Sequence, residues 1–490
     1  MSRTLAMALL LFVAAAPAFP QQAPAQRIQQ KPTPEEAAAA RLKARYPLDY
    51  PPRLPNGQVV VTEETPDFLK PGPNLREGVT IAKVPPRVDF AFFPEQNYPG
   101  NPWSNRADGI VIGDKYYTSD NDHLAPRGTA HLWEYDAAAK KFRLLCDTTK
   151  FLESKNVFPP DMNYRPGEMQ SRIDMGSDGW LYYATDRGSP TVSNDQYGYR
   201  GEWILRTNPQ TLETQIVSQW PIEKHTIPAS VLDPQRMIFY GGTAVGRDAP
   251  NQKIQFFALD VRTGKLLKVC DDGPTRVLIF SPTTGKVYWE GHEYDPATNE
   301  VRPADIPHVR SATAETPQGL VYCTSGTKAD LWSFNVRTNK VTQLGTAAVG
   351  TCEYISSIEA DPTGRYLYYV PGAHGGATKD GTPIVQFDLK TKQRKVLGFL
   401  HEHFWNKYGY ALDGSFSSAL DEKGERLFIS WDGWRKGQPS PSCTFLLKNV
   451  RPREFLSSPS PISHEIPIPL HRCDPVPGGA FVFGCGSGRV

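Results

Sequence analysis

The residues able to do chemistry in this chain are gathered in a few long polar segments. His123 and Arg127 share SDNDHLAPRGTAH, Asp186 and Arg187 open TDRGSPTVSNDQYGYRGE, and His374 sits in PGAHGGATKDGTP. His401, His403 and Tyr408 belong to HEHFWNKYGYALDG. Imidazole changes charge near neutral pH, so His123, His225 and His374, together with Tyr408, are the candidate acid–base residues. Guanidinium groups suit planar anions, which makes Arg127, Arg172, Arg187, Arg276 and Arg310 the candidate substrate-binding residues. His401 and His403, two residues apart, would share one face of a strand and present a pair of ligands to a divalent metal such as Mn, Ca or Zn. A plainer reading stands beside each of these. A loop histidine bonded to its own turn, or an arginine paired with a neighbouring carboxylate, leaves the same trace in a sequence.

An arginine or metal that neutralises a uronate carboxylate makes the adjacent C5 proton acidic. A histidine or tyrosine can then remove it while a second acid protonates the leaving oxygen. A metal-assisted hydrolase would use the same histidines as ligands to an activated water. Other chemistries lack their marks. No GxSxG elbow, HExxH helix, Walker loop, helix-opening GxGxxG or CxxC pair occurs. Lys plus Arg (54) nearly balance Asp plus Glu (52), for a net charge of +2, so the positive field that a nucleic-acid backbone selects is absent.

The elements that position these residues form a degenerate repeat. An aromatic or aliphatic strand ends in Asp or Asn, a short polar turn follows, and a second strand leaves it. The marker positions are Asp136, Asn208, Asp260, Asp295, Asn335, Asp388 and Asn449. Their mean spacing of about 52 residues is close to that of propeller blades. Most copies follow another strand pair joined by a tight turn, as in SSIEADPTGRYLYYV. Four short antiparallel strands per unit, repeated seven times, predict an all-β fold, a seven-bladed β-propeller. Six or eight blades stay open, and RVDFAFF (87–93) is a candidate ring-closing strand. The turns expected on one face are short and bland. The opposite connections carry His123, His225, His308, His374, His401 and His403, and Arg172, Arg276 and Arg310 stand near the starts of innermost strands. Function is expected on that face.

At the ends, the apolar run Leu5–Ala16 with Ala16-Pro17-Ala18 predicts a signal peptide over 1–18, too short to span a membrane. Residues 19–85 read as leader and linker, 86–450 as the propeller and 451–490 as a C-terminal tail. The protein is then exported, to the periplasm or beyond, and expected to be monomeric, with an oligo- or polysaccharide as its partner rather than nucleic acid. Seven cysteines allow up to three disulfides. Cys473 with Cys485 would close a short loop, and Cys323 with Cys352 would bridge neighbouring strands.

Segments such as YYVPGAHGGATKDGTPIVQFDLKTKQRKVL, DGWLYYATDRGS and IFYGGTAVG resemble a group of exported bacterial seven-bladed propeller proteins. In architecture the chain is more distantly similar to propeller polysaccharide lyases of the oligogalacturonate and ulvan type. The resemblance covers roughly residues 90–450. It implies chemistry by His, Tyr and Arg, in some lyases with a histidine-bound divalent metal. No diagnostic lyase motif aligns, so these roles attach to residue types and not to positions. The expectation is a carbohydrate-active lyase or hydrolase acting on an anionic, uronate-containing glycan. The alternative is a non-catalytic glycan-binding or scaffold propeller.

Overall fold

A computed structural model describes residues 54–93, 107–121, 128–187, 192–326, 328–373, 376–435 and 441–449. The architecture is an all-β propeller of four-stranded antiparallel blades. Described strands fall into seven sheets. Sheets 1 to 6 span 110–147, 174–219, 225–271, 279–303, 311–346 and 358–399. Each of these six holds four consecutive strands as a meander. Sheet 7 is composite: Tyr410–Leu420, Arg426–Arg435 and Pro441–Asn449 are extended by Arg87–Phe92 and then by Val60–Glu63.

Alternation along the strands builds the core. In Leu181–Ala184 of sheet 2, Leu181 and Tyr183 enter a cluster with sheet 1, whereas Tyr182 and Ala184 enter one with sheet 3. Successive side chains of a strand point to opposite faces, and here both faces are covered. Comparable apolar clusters join sheets 3 and 4, 4 and 5, 5 and 6, 6 and 7, and 7 and 1. Burial falls towards the last strand of a sheet. Leu331, Trp332 and Phe334 are buried, while the neighbouring strand Lys340–Thr346 holds only exposed and half-buried residues.

The repeat marker is a turn device. Asp136, Asn208, Asp260, Asp295, Asn335 and Asp388 each accept, through Oδ1, the backbone N–H two or three residues on, at 2.8–3.0 Å. The residue four positions after each marker, among them Leu212, Gly264 and Asn339, has positive φ. A side-chain acceptor at the start of a tight turn and a left-handed residue at its end set the register of the next strand.

The segment 54–85, expected to be linker, is built into the propeller. Thr80–Ile81 adds a parallel strand to the outer edge of sheet 6, and Val60–Glu63 forms the outer edge of sheet 7. Arg76 ties the intervening stretch to sheets 5 and 6 through Gly350 O at 2.7 Å and Glu353 Oε1 at 2.5 Å. RVDFAFF supplies the strand that pairs with Pro441–Asn449. The Cys323–Cys352 disulfide is not formed. Cys323 is a buried free thiol in the core between sheets 4 and 5, and the thiol of Cys352 donates to Gly376 O at 2.9 Å. Cys473 and Cys485, like the segments expected to be signal peptide and tail, lie outside the described residues. Among the described residues, no helix is long and apolar enough to cross a membrane.

Candidate functional site in the central channel

First strands of neighbouring sheets lie side by side around the middle of the disc. The residues just before them are therefore brought to one place. Arg172 is two residues ahead of Asp174–Met175, Arg276 three ahead of Ile279–Phe280, and Arg310 directly ahead of Ser311–Ala312. These three expected channel arginines line one cavity of about 330 Å³, together with Asp108, Gln170, Asp174, Ser356 and Phe416.

Hydrogen bonds across sheets hold this group. Asp108 O accepts the N–H of Ile173 at 3.0 Å, fixing the lead of sheet 1 against that of sheet 2. Arg172 Nε donates to Asp174 Oδ1 at 2.8 Å, and the other oxygen of Asp174 accepts Leu232 N–H at 3.0 Å. Arg276 donates to the Gln170 carbonyl, and the Gln170 amide donates to Glu168. Arg310 lies with its guanidinium 4.6 Å from the Tyr354 ring and 5.7 Å from the Phe416 ring. Such contacts hold the guanidinium against aromatic rings at the cavity lining.

Two carboxyls keep their protons longer than usual, Asp108 on the cavity lining and Glu359 on the inner strand Ile358–Ala360 of sheet 6. Burial raises Asp108 against the opposing pull of Arg172, Arg276 and Arg310. Burial likewise pushes Glu359 up to about 8, although Arg172 and a 3.1 Å hydrogen bond from Ser418 work the other way. Asp108, Asp174, Glu359, Gln170, Tyr354 and Phe416 were not singled out from sequence. An acid inside SRIDMG or SSIEAD, segments otherwise reading as inner strands, is the signal that would have found two of them.

The cavity does not keep to the face expected to be reactive. Its wall continues down to the first turns of sheets 3, 4 and 5, where Asp233, Arg236, Pro282 and Glu315 line it. The short turns read as bland therefore carry charge. Arg236 pairs with Asp233 at 2.8 Å, and Glu315 accepts from Ser281 at 2.7 Å.

The remaining expected site residues lie elsewhere. His225 opens the inner strand of sheet 3, but its Nδ1 is 2.8 Å from Thr243 Oγ1 and its Nε2 2.8 Å from Asn251 O. Thr243 Oγ1 already accepts Gln255 N–H, so it donates to Nδ1, and Nε2 carries the proton. Both nitrogens are used, and burial lowers the pKa, which describes a neutral strand-end tie. Arg187 donates to Val245 O at 3.2 Å, next to the buried Asp186.

HEHF is not a strand. Thr148–Ser154 forms helix α1, and His401–Tyr408 forms helix α2, which ends on Gly409 at φ 65. On a helix, residues two apart point about 200° from each other, so His401 and His403 diverge instead of sharing a face. His401 stacks towards Trp405, with ring centres 6.0 Å apart. His403 Nε2 is 3.3 Å from Glu63 Oε2, beside Lys407 and the Tyr408 hydroxyl, which also bond Glu63. Tyr408 and His403 thus clamp the edge of sheet 7. Among the described residues no three His, Cys, Asp or Glu side chains are grouped to hold a metal ion. His123, Arg127 and His374 lie outside the described residues.

No protein-family model and no curated protein matches the chain. Among solved structures it is similar to the RRP9 WD40 repeats at 9% identity and TM-score 0.45, covering 76% of this chain and 99% of that one. It is similar to the U3-55K structure at 8% identity and TM-score 0.43, covering 71% and 96%. A chain of the mitotic checkpoint complex matches at 10% identity and TM-score 0.41, covering 91% and 99%. Fold and site together define a β-propeller with an arginine-lined central channel.

Proposed function

We propose that this protein is a seven-bladed propeller that binds an anionic, hydroxyl-bearing ligand in its central channel, a uronate-containing glycan being the class that fits. The observation that carries the reading is the convergence of Arg172, Arg276 and Arg310, from the leads of three different sheets, on one cavity. Guanidinium edges match carboxylate geometry, Gln170 and Ser356 offer partners to hydroxyls, and Phe416 and Tyr354 supply apolar faces.

Calorimetric titration with galacturonate oligomers tests this. Saturable binding that is lost in the double variant Arg276→Ala/Arg310→Ala, with the fold retained by circular dichroism, supports it. Equal heats for both proteins would overturn it. Catalysis on the same ligand is the second reading, favoured by the acids Asp108 and Glu359 beside arginines that would neutralise a uronate. A rise in ultraviolet absorbance from an unsaturated uronate product separates a lyase from a binding protein.

A further inference from the structure

The channel holds its positive charge in balance. Arg172, Arg276 and Arg310 act on Asp108, and Arg172 is within electrostatic reach of Asp174, Asp108 and Glu359. Three guanidinium groups therefore face three carboxyl groups. If all six are charged, the cluster has no net attraction for an anion, and a bound monoanion would leave an excess negative charge in a confined site. That excess must be removed by a companion cation or by a proton.

The surroundings favour the proton. No third acid or histidine stands with these carboxyls in a metal-ligand arrangement among the described residues. Asp174 is committed, with one oxygen to Arg172 and the other to a backbone N–H. Among the described residues Glu359 has one hydroxyl on it, Ser418 Oγ, which itself bonds Ser357. A hydroxyl can give or take a hydrogen bond, so Ser418 tolerates either form of Glu359. Other charged groups nearby are held by hydrogen bonds. Glu168 is bonded by Gln170, Arg236 by Asp233, and Glu315 by Ser281 and Thr283. Of the three carboxyls that act on Arg172, Asp108 and Glu359 are the two that can accept a proton without breaking a hydrogen-bonded ion pair.

Resting on the channel-binding reading above, we propose that anion capture is coupled to uptake of one proton by the Asp108–Glu359 pair, so that the ligand enters as anion plus proton. The site then binds acidic ligands more tightly as pH falls and releases them as it rises. This makes the channel a proton-linked carrier site rather than a simple cation patch.

Two measurements test this. Infrared difference spectra between the protein and its Glu359→Gln variant report the protonated carboxyl of Glu359 without any ligand. A carboxylic C=O band present at pH 7 and lost with a midpoint near 8 is expected. Its absence at pH 6 would overturn the proposal even if no probe binds. Calorimetry with trigalacturonate in buffers of different ionisation enthalpy gives the protons taken up. About half a proton per anion near pH 8, rising to one at higher pH, and affinity there falling about tenfold per pH unit, are expected. Glu359→Gln should bind with the proton uptake largely removed. Binding with no proton uptake, or dependence on added Na⁺ or Ca²⁺ instead, would overturn the coupling. Failure of the probe to bind at any pH, with the infrared band present, would instead count against the glycan reading.

Discussion

Arg310, from the lead into sheet 5, lies over the ring of Tyr354, from the lead into sheet 6, at 4.6 Å. Tyr354 is itself anchored, its carbonyl accepting Gly372 N–H at 2.8 Å. The contact presents the guanidinium at a set angle to the channel, which a flexible ammonium cannot reproduce.

Arg310→Lys should therefore weaken uronate binding at least about tenfold while leaving the thermal unfolding midpoint nearly unchanged, and Tyr354→Leu should produce part of the same loss. Titration calorimetry beside a melting curve checks both. A lysine variant that binds like the parent would show that charge alone suffices.

A second expectation concerns alkaline stability. His131 is buried, with Nδ1 2.8 Å from Asp120 Oδ1 and Nε2 3.4 Å from Asp147 Oδ2. Burial alone would lower its pKa, but the two carboxylates outweigh burial and raise it to about 10 from 6.5. A raised folded-state pKa gives stability that is complete below pH 6.5 and lost as pH climbs through 10. The parent should lose a few kcal/mol across that window relative to His131→Gln. Urea midpoints measured from pH 6 to 10 for both proteins would show it, and parallel curves would refute it.

Glu202 gives a separate pH signature. Its oxygens meet the hydroxyls of Tyr164 at 2.6 Å, Tyr199 at 3.0 Å and Thr185 at 2.7 Å. Burial, reinforced by Asp186, raises its pKa to about 8 from 4.5. The stability it gives below pH 4.5 is thus lost as pH rises through 8. Glu202→Gln, neutral throughout, should gain on the parent between those values. The difference in melting temperature should grow with pH, and a constant difference would exclude the assignment.

Packing at the composite sheet is also testable. Phe90 is fully buried, 4.6 Å from the Phe404 ring and 5.1 Å from the Phe92 ring. Phe90→Ala should cost about 3–5 kcal/mol of stability by chemical denaturation. Val59→Ala, at a position 56% exposed, should stay within about 0.5 kcal/mol.

Much of the fold was legible because each sheet ends in the same local chemistry. The Asp or Asn marker followed by a left-handed residue is written in every good copy, and its physics is local. The three channel arginines were legible for a related reason, their fixed offset from a strand start. Their partners were not, because Asp108, Glu359 and Tyr354 meet them only across different sheets. HEHF was misread because two-residue spacing suits a strand. Yet Glu402 in the first turn, Lys407 in the last and Gly409 just beyond are helix-boundary signals that outweigh it. The role of Glu63 was hidden by distance, since the helix it braces lies far along the chain.

Sheet 7 takes Arg87–Phe92 from one end of the chain and Pro441–Asn449 from the other, roughly 350 residues apart. During synthesis the early strand must wait, its apolar side chains without their neighbour, until nearly the whole propeller has been made. Such distant pairing is slow to find and is expected to be the last step of folding. In the finished molecule the same pairing acts as a mechanical latch. Because these two strands run antiparallel, the direction in which tension meets their ladder decides whether the hydrogen bonds break one by one or all together.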